Sequence, residues 1–207
     1  DKSIKKFSDM IDYDILSSRE GMDVSSQTLL SLANKPWNWK TLSSNPSFHF
    51  DSIGVLDELS DYRLDWEVLS GRRDIDFSGF EYSSLIDREW NWVEISKRKD
   101  ILFTEDAIRK LYVYPLDWEK VSSRPDFEPT PTSLSLLKAQ KLDWNAISSN
   151  EHLEKSVIWD NRDKLNWYQL TRNAHVSDLS DIEYLSKYEE YLDWGYTSSH
   201  LDRSFFI

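Results

Sequence analysis

Aromatic rings, carboxylates, hydroxyls and guanidinium groups recur along this sequence at fixed distances, and each invites a chemical reading. Ten Trp and ten Tyr offer faces of the kind that stack on sugars or nucleobases. Seven of the Trp, however, fall into one series with a tyrosine: Tyr13, Trp39, Trp66, Trp92, Trp118, Trp144, Trp167 and Trp194. The gaps, by subtraction of those numbers, are 26, 27, 26, 26, 26, 23 and 27 residues. Strict spacing is what a packing anchor requires, so a core role is expected for these rings. Trp37 and Trp90 stand two residues before an anchor, where other copies have Leu64, Leu116 and Leu142, and are expected in the core as well. Trp159 fits neither series.

Each anchor is preceded by Asp12, Asn38, Asp65, Asn91, Asp117, Asp143, Asn166 or Asp193. A row of carboxylates could bind metal or move protons, but Asn stands in three of these places and cannot act as a general acid. Asp and Asn share a different property: a side-chain oxygen that caps a helix N-terminus. Four residues after each anchor comes a hydroxyl: Ser17, Ser43, Ser70, Ser96, Ser122, Ser148, Thr171 or Ser198. No His lies beside any of them to activate it, so a helix-end hydrogen bond is the expected role. His49, His152, His175 and His200 lack the short mutual spacing of a metal site. Gly71 and Gly79 belong to no phosphate-cradling loop. Thus no catalytic, metal or cofactor-binding residue is read from the sequence, and no cofactor is expected.

Cations are concentrated in the connectors, as Arg72, Arg73, Lys97, Arg98, Lys99 and Arg124. Arg124 is equivalent to Arg98 in the repeat, and equivalent positions of a stacked array line one edge. These six are the candidate partner contacts, facing either solvent or an acidic partner.

The elements that position these residues follow from a second series. Twelve residues after the anchors stand Ser25, Asp51, Ser78, Thr104, Thr130 and Ser156, all preferred N-caps. Pro131 follows Thr130, which suits the first helical position. In the seventh copy Leu179 takes that place, with Ser177 or Ser180 as replacement caps. An apolar residue precedes each cap: Met22, Phe48, Ile75, Ile101, Phe127, Leu153 or Val176. In the fourth copy Asn91 caps a helix through Trp92 and Ile95, Ile101 and Phe103 turn inward, and Thr104 caps a second helix. Its stripe of Ala107, Ile108, Leu111 and Tyr112 has helical rather than alternating spacing, and Pro115 stops it.

The unit is therefore expected to be a pair of short helices, stacked because neither helix can bury its stripe alone. The fold class expected is all-α: a right-handed α-solenoid of about eight two-helix repeats, each roughly 26 residues, forming one domain over residues 1–207. Stacking at 8–10 Å per unit makes such an array roughly 65–80 Å long. A parallel β-helix or leucine-rich horseshoe is the rival, but it has shorter units or Leu-x-Leu strands. The sixth copy is short by about three residues, which predicts a kink or altered stacking near residues 151–164.

At its Asp-Trp-x-x-Leu-Ser core the sequence resembles tandem repeats in uncharacterised bacterial and large-virus proteins. In those, the core is followed by Asn-Pro and an aliphatic residue. Asn45-Pro46 after Ser43 matches, Arg124-Pro125 matches in part, and Arg73-Asp74 differs. The resemblance spans nearly the whole chain. It implies an α-solenoid loosely like tetratricopeptide or HEAT arrays, and it brings no catalytic residue.

Net charge is −12 with 30% charged residues, which disfavours phosphate backbones and favours a basic or mixed-charge partner. There is no cysteine, hence no disulfide framework and no thiolate metal site. No apolar run is long enough to span a bilayer and the first ten residues are polar, so no membrane association and a cytoplasmic location are expected. Phe205, Phe206 and Ile207 are apolar where a solenoid end is usually polar, and Ser3, Ile4 and Phe7 read as the tail of a preceding helix. The expectation is a segment of a longer polypeptide.

The function expected is a non-enzymatic scaffold for protein–protein contact, with a protein or neighbouring domains of the same polypeptide as partner. The alternatives are a nucleic-acid contact through the connector cations, with nucleic acid the less favoured partner, and an acidic DNA-mimic inhibitor.

Overall fold

The computed structural model of the chain describes residues 1–174, 177 and 181–201, with Ile182 described by its backbone alone. Among the described residues there are fourteen α-helices, three short 3-10 turns and no strand. Contacts divide the chain into two compact units, Asp1–Ile101 and Leu102–Ile207.

In the first unit the helices are α1 (Lys2–Lys6), α2 (Tyr13–Ser18), α3 (Ser26–Ser31), α4 (Trp39–Ser44), α5 (Ile53–Glu58), α6 (Trp66–Ser70) and α7 (Trp92–Ile95). In the second they are α8 (Glu105–Leu111), α9 (Trp118–Ser122), α10 (Pro131–Leu136), α11 (Trp144–Ser149), α12 (Trp167–Arg172), α13 (Ile182–Lys187) and α14 (Trp194–His200). None of them exceeds seven residues, far below the length at which an isolated helix persists in water. Their stability therefore comes from caps and neighbours.

Every anchor opens a helix, and the Asp or Asn before it accepts a first-turn N–H in all eight cases. Within the first unit α2 packs on α4, α4 on α6 and α6 on α7, while α3 packs on α5. Within the second, α9 packs on α11, α11 on α12 and α12 on α14, while α8 packs on α10. Anchor helices thus pack on anchor helices and the intervening helices on one another. The connectors touch too: the Val24 N–H donates to Ser47 O at 2.8 Å and the Glu128 N–H to Phe103 O at 3.2 Å. Phe48, Phe50, Phe77 and Phe80 fill the core of the first unit, and Phe103 and Phe127 that of the second. Each such side chain contributes about 1.5–3 kcal/mol by leaving water.

The second series of caps is only partly as expected. Ser25, Thr104 and Thr130 cap α3, α8 and α10, with Pro131 in the first turn of α10. Asp51 does not cap; it has a left-handed backbone (φ 58°), and Ser52 caps α5 instead. The Asp51 carboxylate receives the Ser26 hydroxyl of the preceding copy. Ser78 gives its hydroxyl to Asp76 at 2.7 Å, and Gly79, at φ 76°, leads into a 3-10 turn rather than an α-helix. Ser156 lies inside a 3-10 turn and bonds Glu154 at 3.0 Å. In the seventh copy Asp181 caps α13, and Ser177 bonds the carbonyls of Thr171 and Asn173. Val176, Leu179 and Ser180 lie outside the described residues.

The shortened sixth copy has two 3-10 turns, Lys155–Val157 and Trp159–Asn161, where its neighbours have a second α-helix. The third copy, of full length, also has a 3-10 turn in that place, Phe80–Tyr82. No helix among the described residues is long and apolar enough to cross a membrane.

Candidate functional site

The recurring hydroxyl does more than finish a helix. Ser43 Oγ donates to Trp39 O within α4 at 2.9 Å and accepts the Asp65 N–H of the next copy at 2.9 Å. Ser17 does the same with Tyr13 O and the Asn38 N–H, and Ser70 with Trp66 O and the Asn91 N–H. In the second unit Ser148 and Thr171 repeat the pattern toward Asn166 and Asp193. Ser122 accepts the Asp143 N–H at 2.8 Å but donates to Glu119 O. One buried oxygen thus joins two copies. Ser198 departs from this, being exposed and bonded within α14 alone among the described residues.

The basic connector residues separate into two groups. Arg98 is 2% exposed, and its guanidinium lies 3.8 Å from the centre of the Phe77 ring. Its Nε and Nη2 bind Asp100 at 3.0 and 2.7 Å. Nη1 donates to the carbonyls of Ser70 and Arg72, and Nη2 to that of Ile75. All five N–H of the guanidinium are occupied, so none remains for a partner. Arg72 makes the same set with Asp74 and the carbonyls of Ser43, Asn45 and Phe48. Ser43 and Ser70 lie at helix C-termini, where carbonyls lack intrahelical donors and a cation is favoured. In the second unit Arg124 binds Asp126 twice at 2.9 Å and covers Phe103.

The remaining cations face outward. Arg73 and Lys97 both turn toward Glu94, at 3.8 and 2.5 Å, and Lys99 is exposed. Arg72 and Arg98 are therefore internal clamps, and a contact surface in the first unit would be formed by Arg73, Lys97 and Lys99.

The clamps left a trace in the sequence. Asp74, Asp100 and Asp126 stand two residues after Arg72, Arg98 and Arg124. Where a copy lacks Arg six residues after its anchor, it has Asn45, Asn150 or Asn173, except the eighth, which has His200. Asn45 Nδ2 donates to Ser17 O and Arg19 O, and Asn173 Nδ2 to Ser148 O and Asn150 O. The shared property is donation to a neighbour's backbone, a task for amide and guanidinium alike.

The clamps make stability depend on pH. Burial pushes the Asp100 carboxyl up, but hydrogen bonds from Arg98 and the Phe77 N–H, with the Arg98 charge, together outweigh it, and the group titrates below its ordinary value. Asp126 is lowered in the same way by Arg124 and the Phe103 N–H, against the same effect of burial. A carboxyl lowered in the folded state stabilises fully above its unfolded value, and this contribution is lost as pH falls through the folded one. The urea midpoint should therefore fall as pH is lowered from about 5 to about 3. Asp100→Asn should be less stable than the parent at neutral pH and show a flatter acid profile. Parallel profiles for the two proteins would refute the assignment.

The rings behave as packing elements to different degrees. Tyr13, Trp37, Trp39, Trp66, Trp90 and Trp118 are buried, and Trp92, Trp144 and Trp167 are half-buried. Trp37 and Trp90 donate Nε1–H to Leu32 O and Leu85 O. Outer faces of anchors are covered from the end of the same copy: Tyr62 stacks on Trp39 at 4.6 Å, Arg88 lies 5.3 Å from Trp66, and Tyr191 stacks on Trp167 at 5.0 Å. Trp194 has no such cover among the described residues and is exposed. Trp159 is also exposed, with Arg162 at 4.6 Å from its ring. His49 binds Asp23 at 2.9 Å, His152 lies 3.8 Å from Glu151, His200 stacks on Tyr196, and His175 lies outside the described residues. No group of three His, Asp or Glu among the described residues is placed to hold a metal ion.

A groove of about 810 Å³ runs past the N-termini of α4 and α6 in the first unit. Trp39, Tyr62 and Trp66 contribute to its walls. Asp14, Asp61, Asp65, Glu67 and Glu89 line it, against Lys40 and Arg63. Asp14 accepts from Asn38 Nδ2 at 2.9 Å, and Lys40 lies 3.9 Å from Asp65. Asp61, Glu67 and Glu89 have no ion-pair partner among the described residues. Sequence reasoning missed this groove because its members come from four separate stretches of chain.

Compared with protein-family models, curated proteins and solved structures, the chain matches none of them.

Proposed function

We propose that the chain is a non-enzymatic scaffold for protein–protein contact, built as a right-handed α-solenoid of about eight two-helix repeats of the Asp-Trp-x-x-Leu-Ser type. The observation that carries this reading is where the reactive groups point. The hydroxyls and the guanidinium groups of Arg72 and Arg98 bond the backbone of the neighbouring copy, so the groups that could do chemistry serve to join repeats. An array joined in this way keeps its outward positions free for recognition, and those positions carry most of the acidic charge. A protein partner of basic or mixed charge fits that surface.

The test is purification of the tagged native protein from its own cells, with and without nuclease, followed by cross-linking and mass spectrometry. The expected result is a stoichiometric protein partner that survives nuclease and cross-links to the chain directly. Loss of every associated protein on nuclease treatment would overturn the scaffold reading. It would favour the second reading, contact with nucleic acid through Arg73, Lys97 and Lys99, which the outward placement of these three supports. That reading requires affinity to fall steeply with salt and to vanish when the three are replaced by Glu.

A further inference from the structure

The groove in the first unit combines three features: volume, aromatic walls and carboxylates without counter-charge. We propose that it binds an extended basic peptide segment, with Arg or Lys side chains entering between the rims. This deepens the scaffold reading and rests on it, because it names the partner chemistry and the face used.

Charge complementarity is the first argument. Five carboxylates and two cations line the groove, and Asp61, Glu67 and Glu89 have no ion-pair partner among the described residues. Carboxylates that line one groove without ion-pair partners attract an incoming cation. Outside the groove, Arg73 and Lys97 already share Glu94.

The rings supply the second argument. An indole face attracts a guanidinium or ammonium group. The chain already uses this contact beside the groove, where the Arg88 guanidinium sits 5.3 Å from the Trp66 ring. Tyr62 is stacked on Trp39, is only half-buried and lines the groove. A partner cation there would repeat beside Tyr62 what Arg88 does beside Trp66.

Spacing is the third. Neighbouring helices lie about 8–10 Å apart. An extended polyproline II segment rises about 3.1 Å per residue with three residues per turn, so side chains three residues apart share one face and are separated by about 9 Å. A segment with a cation at every third position therefore meets α4 and α6 in turn.

The test uses the whole chain and a fluorescein-labelled peptide with Arg at every third position, separated by Ser-Gly, read by fluorescence anisotropy. A peptide with Glu in place of Arg is the control ligand. The triple variant Asp61→Asn, Glu67→Gln, Glu89→Gln removes three charges from exposed groove positions. A second triple, Asp160→Asn, Glu183→Gln, Glu190→Gln, removes the same charge from exposed positions of the second unit. The expected result is binding of the Arg peptide but not the Glu peptide. The groove triple should weaken binding at least about tenfold and the other triple less than about threefold.

Equal weakening by the two triples would mean attraction to net charge alone and would overturn the groove assignment. Binding of the Glu peptide, or no binding of the Arg peptide at low salt, would overturn it as well. These outcomes leave the scaffold reading standing if the cross-linked protein partner survives nuclease. Loss of that partner removes the scaffold reading whatever the peptide does.

Discussion

Replacing Arg98 with alanine should lower the free energy of unfolding by about 3–5 kcal/mol, the range for removing one partner of a buried ion pair. The change leaves the Asp100 carboxylate without its guanidinium and the carbonyls of Ser70, Arg72 and Ile75 without a donor. It also uncovers the face of Phe77. Arg73→Ala, one residue from Arg72 but pointing outward, should change stability by less than about 0.5 kcal/mol, as surface substitutions do. Urea denaturation followed by circular dichroism measures both. Arg98→Lys should recover little, because an ammonium group cannot span two carboxylate oxygens and three carbonyls at once. If Arg98→Ala and Arg73→Ala proved equally mild, the clamp would contribute nothing and the connector cations would be equivalent after all.

Trp118→Ala should cost about 3–5 kcal/mol, as large-to-small changes of a buried tryptophan do. Trp118 is 3% exposed and lies edge-on to Phe103 with ring centres 6.2 Å apart. Its Nε1–H has no hydrogen-bond partner among the described residues, so the loss would be one of packing and buried area rather than of polar bonding. Trp159→Ala, in the same unit, should cost no more than about 1 kcal/mol, because that ring is 44% exposed and removing it opens no enclosed cavity. The comparison is made on urea midpoints of the two single variants. Equal destabilisation would show that spacing says nothing about which tryptophans hold the chain together.

The two predictions also mark how far the sequence could be read. The eight Asp and Asn caps were legible because capping is local: the side chain accepts an N–H two or three residues further on, and nothing distant is needed. The second series was less so. At Asp51 the backbone turns left-handed, and the cap moves to Ser52. At Ser78 and Ser156 a side chain able to cap stands where tight turns replace the α-helix, so residue type alone overstates the helix.

The candidate site was less visible still. Arg98 donates to Ser70 O, Arg72 O and Ile75 O, carbonyls 28, 26 and 23 residues away. Carbonyls have no letter in a sequence, so the sites that hold Arg98 inside the protein leave no mark of their own. Asp100 two residues later was the available signal, and it is a weak one, because Asp and Arg are common neighbours on any surface. The groove was hidden for a related reason. Its carboxylates, Asp61, Glu67 and Glu89, follow no common offset from the anchors and meet across two consecutive copies.

The sequence by itself determined the helical period, the anchor series and the caps, because each depends on residues within one or two helical turns. The tertiary structure decided which cations are clamps and which are surface, which rings are buried, and where an acidic groove opens. Those outcomes depend on what the neighbouring copy places opposite each side chain. Arg72 and Arg73 are adjacent in the chain and alike in chemistry, yet one is held by its neighbour's carbonyls and the other faces water.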